Sequence, residues 1–431
     1  MTYKNRRKKL ISILDKNSIA IITTNSIKNK SQDIYYQYRP NSDFFYLTGI
    51  KEASCIAIIS HKSYILFVPK KDKIKALWEG DSINNIDALK KYGADKSFII
   101  DNFDSKLASL ITGFDNIYYD LGDNLDIDKI VIKNVKNLQN NSSRTGVKAP
   151  YSYHSLKKLI GEMRLIKDNF EIKEIKNAIK ISIKAHKKAM IKAKAGMYEY
   201  QIEAIFDNIF KKHNMGHAYP PIIAAGKNGL ILHYTDNNSK LKNSDLLLID
   251  AAAESCYYAA DITRTFPISG KFSYEQKKIY ELVLLTQKKA IDCIKPGVSI
   301  AKPAKIAIKT LTKGLIDLKI IKGSLDENIN NKSYQKFYMH NIGHFLGLDV
   351  HDVGEYKKNN KYRKIKLGMV MTIEPGLYIR PDESIAKKWW NIAIRIEDNI
   401  LVTKNGHEIL SKDMVKEVKD IETLIQTKMS D

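Results

Sequence analysis

The sequence has 431 residues, 44% hydrophobic and 28% charged, the balance of a soluble globular protein long enough for two domains with separate cores. Its net charge of +23 comes from lysines spread through almost every segment, with no RNP, zinc-finger or Gly-rich RNA motif, so nucleic acid is not an expected partner. No stretch reaches the ~18 apolar residues of a membrane span; Cys55, Cys256 and Cys293 form no CxxC pair, and the basic start is broken by Asp15 and Lys16 before a signal-peptide core can form, which makes the cytoplasm the expected compartment.

In chain order, residues 1–140 alternate short apolar runs with polar turns. Residues 19–23, 44–47, 55–59, 64–68, 97–100 and 117–119 are expected as strands, with helices over 72–78 and 86–92, giving an α/β domain with a mixed sheet. Within YYQYRPNSDFFYLTGI (35–50), Arg39-Pro40-Asn41-Ser42-Asp43 reads as a turn entering a strand. The polar run LQNNSSRTG (138–146) is expected to be a surface loop near a domain boundary. A connecting segment follows over 151–168, helical at 152–162. Asp168 then has Glu171 three residues on, a capping-box pair, and Ile172, Ile175, Ile179, Ile183 and Met190 give the next helix one apolar face. A helix over 199–213 completes a pair that recurs downstream as 274–295 and 301–318 around Pro296-Gly297. Each pair precedes an acid-bearing β segment, so 169–431 reads as two αα-then-β halves.

The first such segment is LLLIDAAAESCYYAADITRTFP (246–267), expected to reverse between Ser255 and Cys256 and so to set Asp250 opposite Asp261. The second comprises VMTIEPGLYI (370–379) and NIAIRIEDNILV (391–402), which oppose Glu374 and Glu397 across a loop near Ile385. Between them lies YMHNIGHFLGLDVHD (338–352). Carboxylates this close repel, so a fold that keeps them needs a shared proton or a cation. Four strand-borne carboxylates and one histidine form a hard, oxygen-rich donor set without thiolate, which suits two divalent ions ~3.5–4 Å apart and Mn²⁺ above a structural zinc.

Taken together, YRPNSDFFYLTG, EMRLIK and the sequence from Gly226 to Asp398 resemble the Xaa-Pro aminopeptidase (aminopeptidase P) family of metallopeptidases. The resemblance implies an N-terminal α/β domain (1–150), a connecting segment (151–168) and a pita-bread catalytic domain (169–431), an α+β fold with pseudo-twofold symmetry. It implies Asp250, Asp261, His344, Glu374 and Glu397 as ligands of two metals, usually manganese. It further implies roles for His233 in ILHYTDN, His340, His351 and Arg395, and links Asp43 and Arg164 to the substrate site. Ala251 stands where the family often has glycine, and the loop PDESIAKKWW (381–390) transfers nothing.

The implied chemistry is hydrolysis of the bond before a proline at the second position of a peptide. Two ions would hold a bridging water and lower its pKa toward neutrality. Glu374 is expected as general base, His233 as donor to the oxyanion, His351 on the leaving side, Arg395 and Asp43 in a polar relay, and His340 lining the pocket. A homo-oligomer, dimer or tetramer, is implied as well, and Trp78 is either a core aromatic or a residue that completes a neighbouring subunit's site. The rival readings are a prolidase, which shares the ligands and cuts dipeptides, and a non-catalytic pita-bread protein that binds peptides. The latter typically has lost ligands, whereas all five positions are filled here.

Overall fold

The computed structural model describes residues 3–426, which divide into two units, one ending at Arg164 and the other beginning at Leu165. The first is built on a six-stranded mixed sheet. Ser18–Thr23, Ile56–Ser60 and Tyr64–Val68 form its antiparallel centre, and Lys96–Ile99, Asn116–Tyr118 and Ser152–His154 add in parallel at the two sides. The central strands are β-branched runs buried on both faces, and Ile19, Ile21, Ile58 and Phe67 pack with Phe103, Leu107, Val131 and Val135 from the helices Phe103–Ile111 and Leu125–Thr145.

Three local expectations for this unit are corrected. Residues 44–47 belong to a helix, Ser42–Thr48, not to a strand. Asn41 caps it by accepting from the backbone N–H groups of Asp43 and Phe44, both at 3.0 Å, and Gly49 ends it in the left-handed region at φ 76°. Because Phe44, Phe45, Tyr46 and Leu47 are all buried, the helix has no polar face to reveal its period. The run 138–146 is the exposed, polar end of the helix Leu125–Thr145, stopped by Gly146. The connecting segment opens with the edge strand Ser152–His154, and its helix is Leu156–Arg164. The basic N-terminus is itself a helix, Tyr3–Ile13, whose Arg7 stacks over Tyr64 at 3.8 Å and donates to the Leu47 carbonyl at 2.9 Å.

The second unit repeats one theme. Asn169–Lys192, capped by the expected Asp168/Glu171 box, packs with Glu199–Lys212 and precedes the strands Leu246–Asp250 and Thr263–Pro267. Tyr274–Asp292 packs with Lys302–Asp317 and precedes Val370–Ile373, Gly376–Ile379, Ile392–Arg395 and Asp398–Val402. This duplicated αα-then-β order is the pita-bread architecture, with the first unit's mixed sheet ahead of it in sequence. Among the described residues no helix is long and apolar enough to cross a membrane.

Candidate metal centre

The acidic strands place their carboxylates by register. In the first hairpin the reversal falls one residue later than expected, between Cys256 and Tyr257, which take φ of 48° and 68° in a two-residue turn. Asp250 therefore pairs with Thr263 and not with Asp261. The slip moves the pairing by two positions, an even number, so Asp261 remains on the face of Asp250 as its diagonal neighbour. In the second hairpin Ile373 pairs with Asp398 and Gly376 with Arg395, the register that opposes Glu374 and Glu397. His344 arrives beside them because its segment runs along the strand edge: Thr372 N–H donates to the His344 carbonyl at 2.9 Å and Glu374 N–H to the Ile342 carbonyl at 2.8 Å.

Nine sequence-predicted residues line one cavity of about 620 Å³: His233, Asp250, Asp261, His340, His344, His351, Glu374, Arg395 and Glu397. Asp43 and Arg164 are not among them; they belong to the first unit, where they form a buried ion pair at 2.7 Å. Sequence reasoning missed Tyr219, whose hydroxyl lies 2.6 Å from Asp250 Oδ1 and 2.7 Å from Asp261 Oδ1. Its position before Pro220-Pro221, where two fixed φ angles remove freedom from the chain, was the available signal. Thr263 and Tyr378 were missed too. Thr263 Oγ1 donates to Glu397 Oε2 at 2.7 Å and accepts from Arg395 Nε at 3.1 Å. Tyr378 accepts from Arg395 Nη1 at 2.9 Å and meets His340 Nε2 at 3.1 Å.

Hydrogen-bond chemistry defines what this cavity accepts. A hydroxyl carries one proton, so Tyr219 can donate to only one of the two carboxylates that approach it. Glu397 is buried and its Oε1 has no hydrogen-bond partner. His344 Nδ1 faces the Phe345 carbonyl at 3.0 Å and must carry the proton there. Nε2 then faces carboxylate oxygens, 3.2 Å from Asp261 Oδ2 and 3.6 Å from Glu374 Oε1, and holds a proton against them unless a cation takes its place. Acceptors facing acceptors call for a positive charge between them. One donor atom each from Asp261, His344 and Glu397 lies within 4.8 Å of the other two, a spacing that an ion can bridge. Arg395 answers part of the charge by pairing with Asp250 Oδ2 at 2.6 Å.

The proton affinities carry the same excess of negative charge. Burial, then the charges of Asp261, Glu374 and Asp250, push Glu397 well above the ordinary carboxylate range. Burial is also the main cause that brings Glu374 up to about 7. For His344 burial acts to lower the value, yet the hydrogen bond and charge of Asp261, with the charge of Glu374, carry it to about 9. Burial and Arg395 hold His340 down at about 4; this neutral ring donates from Nδ1 to the Asn341 carbonyl at 2.8 Å and accepts at Nε2 from Tyr378. The donor set thus fits divalent cations bound through oxygen and one imidazole.

Likeness to known proteins agrees with this geometry. A model of metallopeptidase family M24 matches residues 173–404, and one of the aminopeptidase P N-terminal domain matches residues 3–118. The chain is 36% identical to the Xaa-Pro aminopeptidase of Escherichia coli over 98% of its own length and 97% of that protein. It is 31% identical to human Xaa-Pro aminopeptidase 3, over 98% and 85%. The structure of Pseudomonas aeruginosa aminopeptidase PepP superposes with a TM-score of 0.95 at 41% identity, covering 98% of this chain and 97% of that one. A zinc-substituted E. coli aminopeptidase P in complex with product gives 0.94 at 36% identity, with the same coverage. Acidic strands, imidazole and matched sequence therefore lead to one placement: the chain belongs to metallopeptidase family M24, with an aminopeptidase P N-terminal domain ahead of its catalytic unit.

Proposed function

We propose that the protein is a metal-dependent aminopeptidase that hydrolyses the bond between an N-terminal residue and a proline in the second position. The observation that carries this reading is the convergence of Asp250, Asp261, His344, Glu374 and Glu397 on one cavity, in a chain whose full-length relatives include Xaa-Pro aminopeptidases. Those five residues would hold two divalent ions, and the oxygen-rich set favours Mn²⁺. When bound, the ions supply Lewis acidity and lower the pKa of water toward neutrality.

The chain's own groups do the rest. Glu374 takes the proton from attacking water at a carboxylate oxygen and returns it to the leaving proline nitrogen. His233, exposed on the cavity wall, donates to the oxyanion as it develops. His351, its ring 4.3 Å from that of His344, hydrogen-bonds the substrate on the leaving side. Arg395 holds Asp250 and, through Tyr378, the neutral ring of His340. Asp43 and Arg164 enter as the substrate-linked pair that the family resemblance implies, each fixed by the other.

A prolidase reading shares these ligands, but the full-length relatives favour the aminopeptidase. Assaying Xaa-Pro dipeptides beside Xaa-Pro-Yaa tripeptides, with and without added Mn²⁺, tests the choice: cleavage confined to dipeptides would reverse it. A homo-oligomer belongs to the proposal. Its support is the helix Lys73–Glu79, which buries no residue and leaves Leu77 and Trp78 each 85% exposed. Light scattering on wild type and Trp78→Ala reads that claim directly. The cytoplasm is the proposed compartment, in keeping with three cysteines outside any disulfide.

A further inference from the structure

Beneath the acidic strands lies a buried side chain that touches none of the carboxylates. Gln287, on the helix Tyr274–Asp292, is completely buried. Its Nε2 donates to the carbonyl of Ile373 at 3.3 Å and to that of Ile396 at 3.0 Å. Its Oε1 accepts from Lys416 Nζ at 3.0 Å. The orientation of the amide is unambiguous, because an ammonium can only donate and a carbonyl can only accept.

Ile373 and Ile396 immediately precede Glu374 and Glu397. The Gly376–Ile379 and Val370–Ile373 ladders break between these positions, and Pro375 in the gap has no N–H to continue the pairing. Each of the two peptide groups at the break is held from both sides. The carbonyls of Ile373 and Ile396 go to Gln287, while the N–H of Glu374 goes to Ile342 and that of Glu397 to Thr263 at 3.1 Å. The plane of a peptide group sets the N–Cα axis from which the following side chain departs, so holding both planes restrains where the Glu374 and Glu397 side chains begin. One carboxamide, using one N–H for each carbonyl, thereby couples the two glutamates across the broken ladder.

We infer that Gln287 is a positioning residue for the metal centre, bridging the interrupted ladder beside its one remaining bond, Ile396 N–H to the Pro375 carbonyl at 3.3 Å, and setting the separation of the Glu374 and Glu397 carboxylates. Lys416 holds the carboxamide in turn, and also pairs with Asp398 Oδ2 at 2.6 Å, next to Glu397 in sequence. The inference rests on the two-ion reading above. Groups that orient metal-binding side chains typically change affinity or activity by ~10–100-fold when removed.

The test is a titration of metal-free protein with Mn²⁺, reading the free hexaaqua ion by electron paramagnetic resonance, on wild type, Gln287→Glu and Gln287→Met. Gln287→Glu keeps the volume and the acceptor for Lys416 but loses both N–H donors; Gln287→Met keeps the length without charge, in case the new carboxylate prevents folding. Thermal unfolding of the metal-free proteins is measured alongside. The inference predicts two ions bound by wild type, and affinity weaker by ~10–100-fold in each folded variant, with kcat reduced more than KM is raised. A variant that unfolds earlier yet binds Mn²⁺ within twofold of wild type would reduce Gln287 to a core-packing role and overturn the inference, leaving the metal reading intact. Wild type that binds no Mn²⁺ would overturn both.

Discussion

Gly343 is the position where the smallest perturbation reaches the site. A Cβ built there would lie 2.0 Å from the Thr372 carbonyl oxygen and 2.7 Å from its carbon, both backbone atoms that cannot rotate away. Ordinary contact begins at 3.4 Å, so Gly343→Ala must move the two segments apart by about 1.4 Å or tilt one of them. Those segments carry His344 and Glu374, whose side chains now approach to 3.6 Å. They are joined by Thr372 N–H to the His344 carbonyl, Glu374 N–H to Ile342 and His344 N–H to Thr372 Oγ1 at 3.0 Å. Displacing a reacting group by ~1 Å can lower a rate ~10²-fold, so kcat for an Xaa-Pro-Yaa peptide is expected to fall at least that far. The stability penalty of overpacking is about 1–3 kcal/mol, which leaves folded protein to assay. Gly216→Ala is the control, since nothing lies within 4 Å of its added carbon. Wild-type kcat and Mn²⁺ affinity in folded Gly343→Ala would refute the claim that this contact sets the His344–Glu374 geometry.

Three further outcomes are expected. Asp261→Asn removes charge at nearly constant size, and should abolish turnover while the protein still folds; a structural acid would instead show a lowered unfolding temperature with turnover per folded molecule preserved. His233→Ala should reduce kcat by ~10²–10³ while metal analysis returns the wild-type stoichiometry, because its assigned role is donation to the transition state and not ligation. His186 is fully buried with Nε2 facing the Ala251 carbonyl at 2.9 Å, and burial takes its pKa from 6.5 down to about 3. Because the folded value lies below the unfolded one, this neutral histidine contributes stability that is fully present above pH 6.5 and is lost as pH falls toward 3, as much as about 5 kcal/mol in all. Denaturant unfolding of His186→Gln against wild type should show a flatter pH dependence across that window, and parallel profiles would contradict it.

The sequence made the site more legible than the fold around it. Glu374 and Glu397 lie in long β-branched runs on both arms of a hairpin, and the observed register agrees with the one expected from their spacing. Asp250 and Asp261 were harder, because the turn uses Cys256 and Tyr257 at positive φ, where Asn or Gly would ordinarily mark it. Only parity rescued the conclusion that both face the same way. The helix Ser42–Thr48 looks like a strand in sequence because burial on every side erases the 3.6-residue signal. Residues 138–146 look like a loop in sequence because the exposed end of a helix has a loop's composition. Tyr219 carries only the signal of the Pro220-Pro221 that follows it, and Gln287 carries none, because each acts through partners distant in the chain that only the folded strands bring to it.

The central claim is that the buried carboxylates exist to hold two ions that hydrolysis requires. Removing metal with a chelator, verifying the metal-free state by elemental analysis, and titrating Mn²⁺ back while following cleavage of an Xaa-Pro-Yaa tripeptide tests it most directly. Activity should be absent at the start and return in step with occupancy, reaching its plateau at two ions per chain. Full cleavage by the verified metal-free protein would contradict the account.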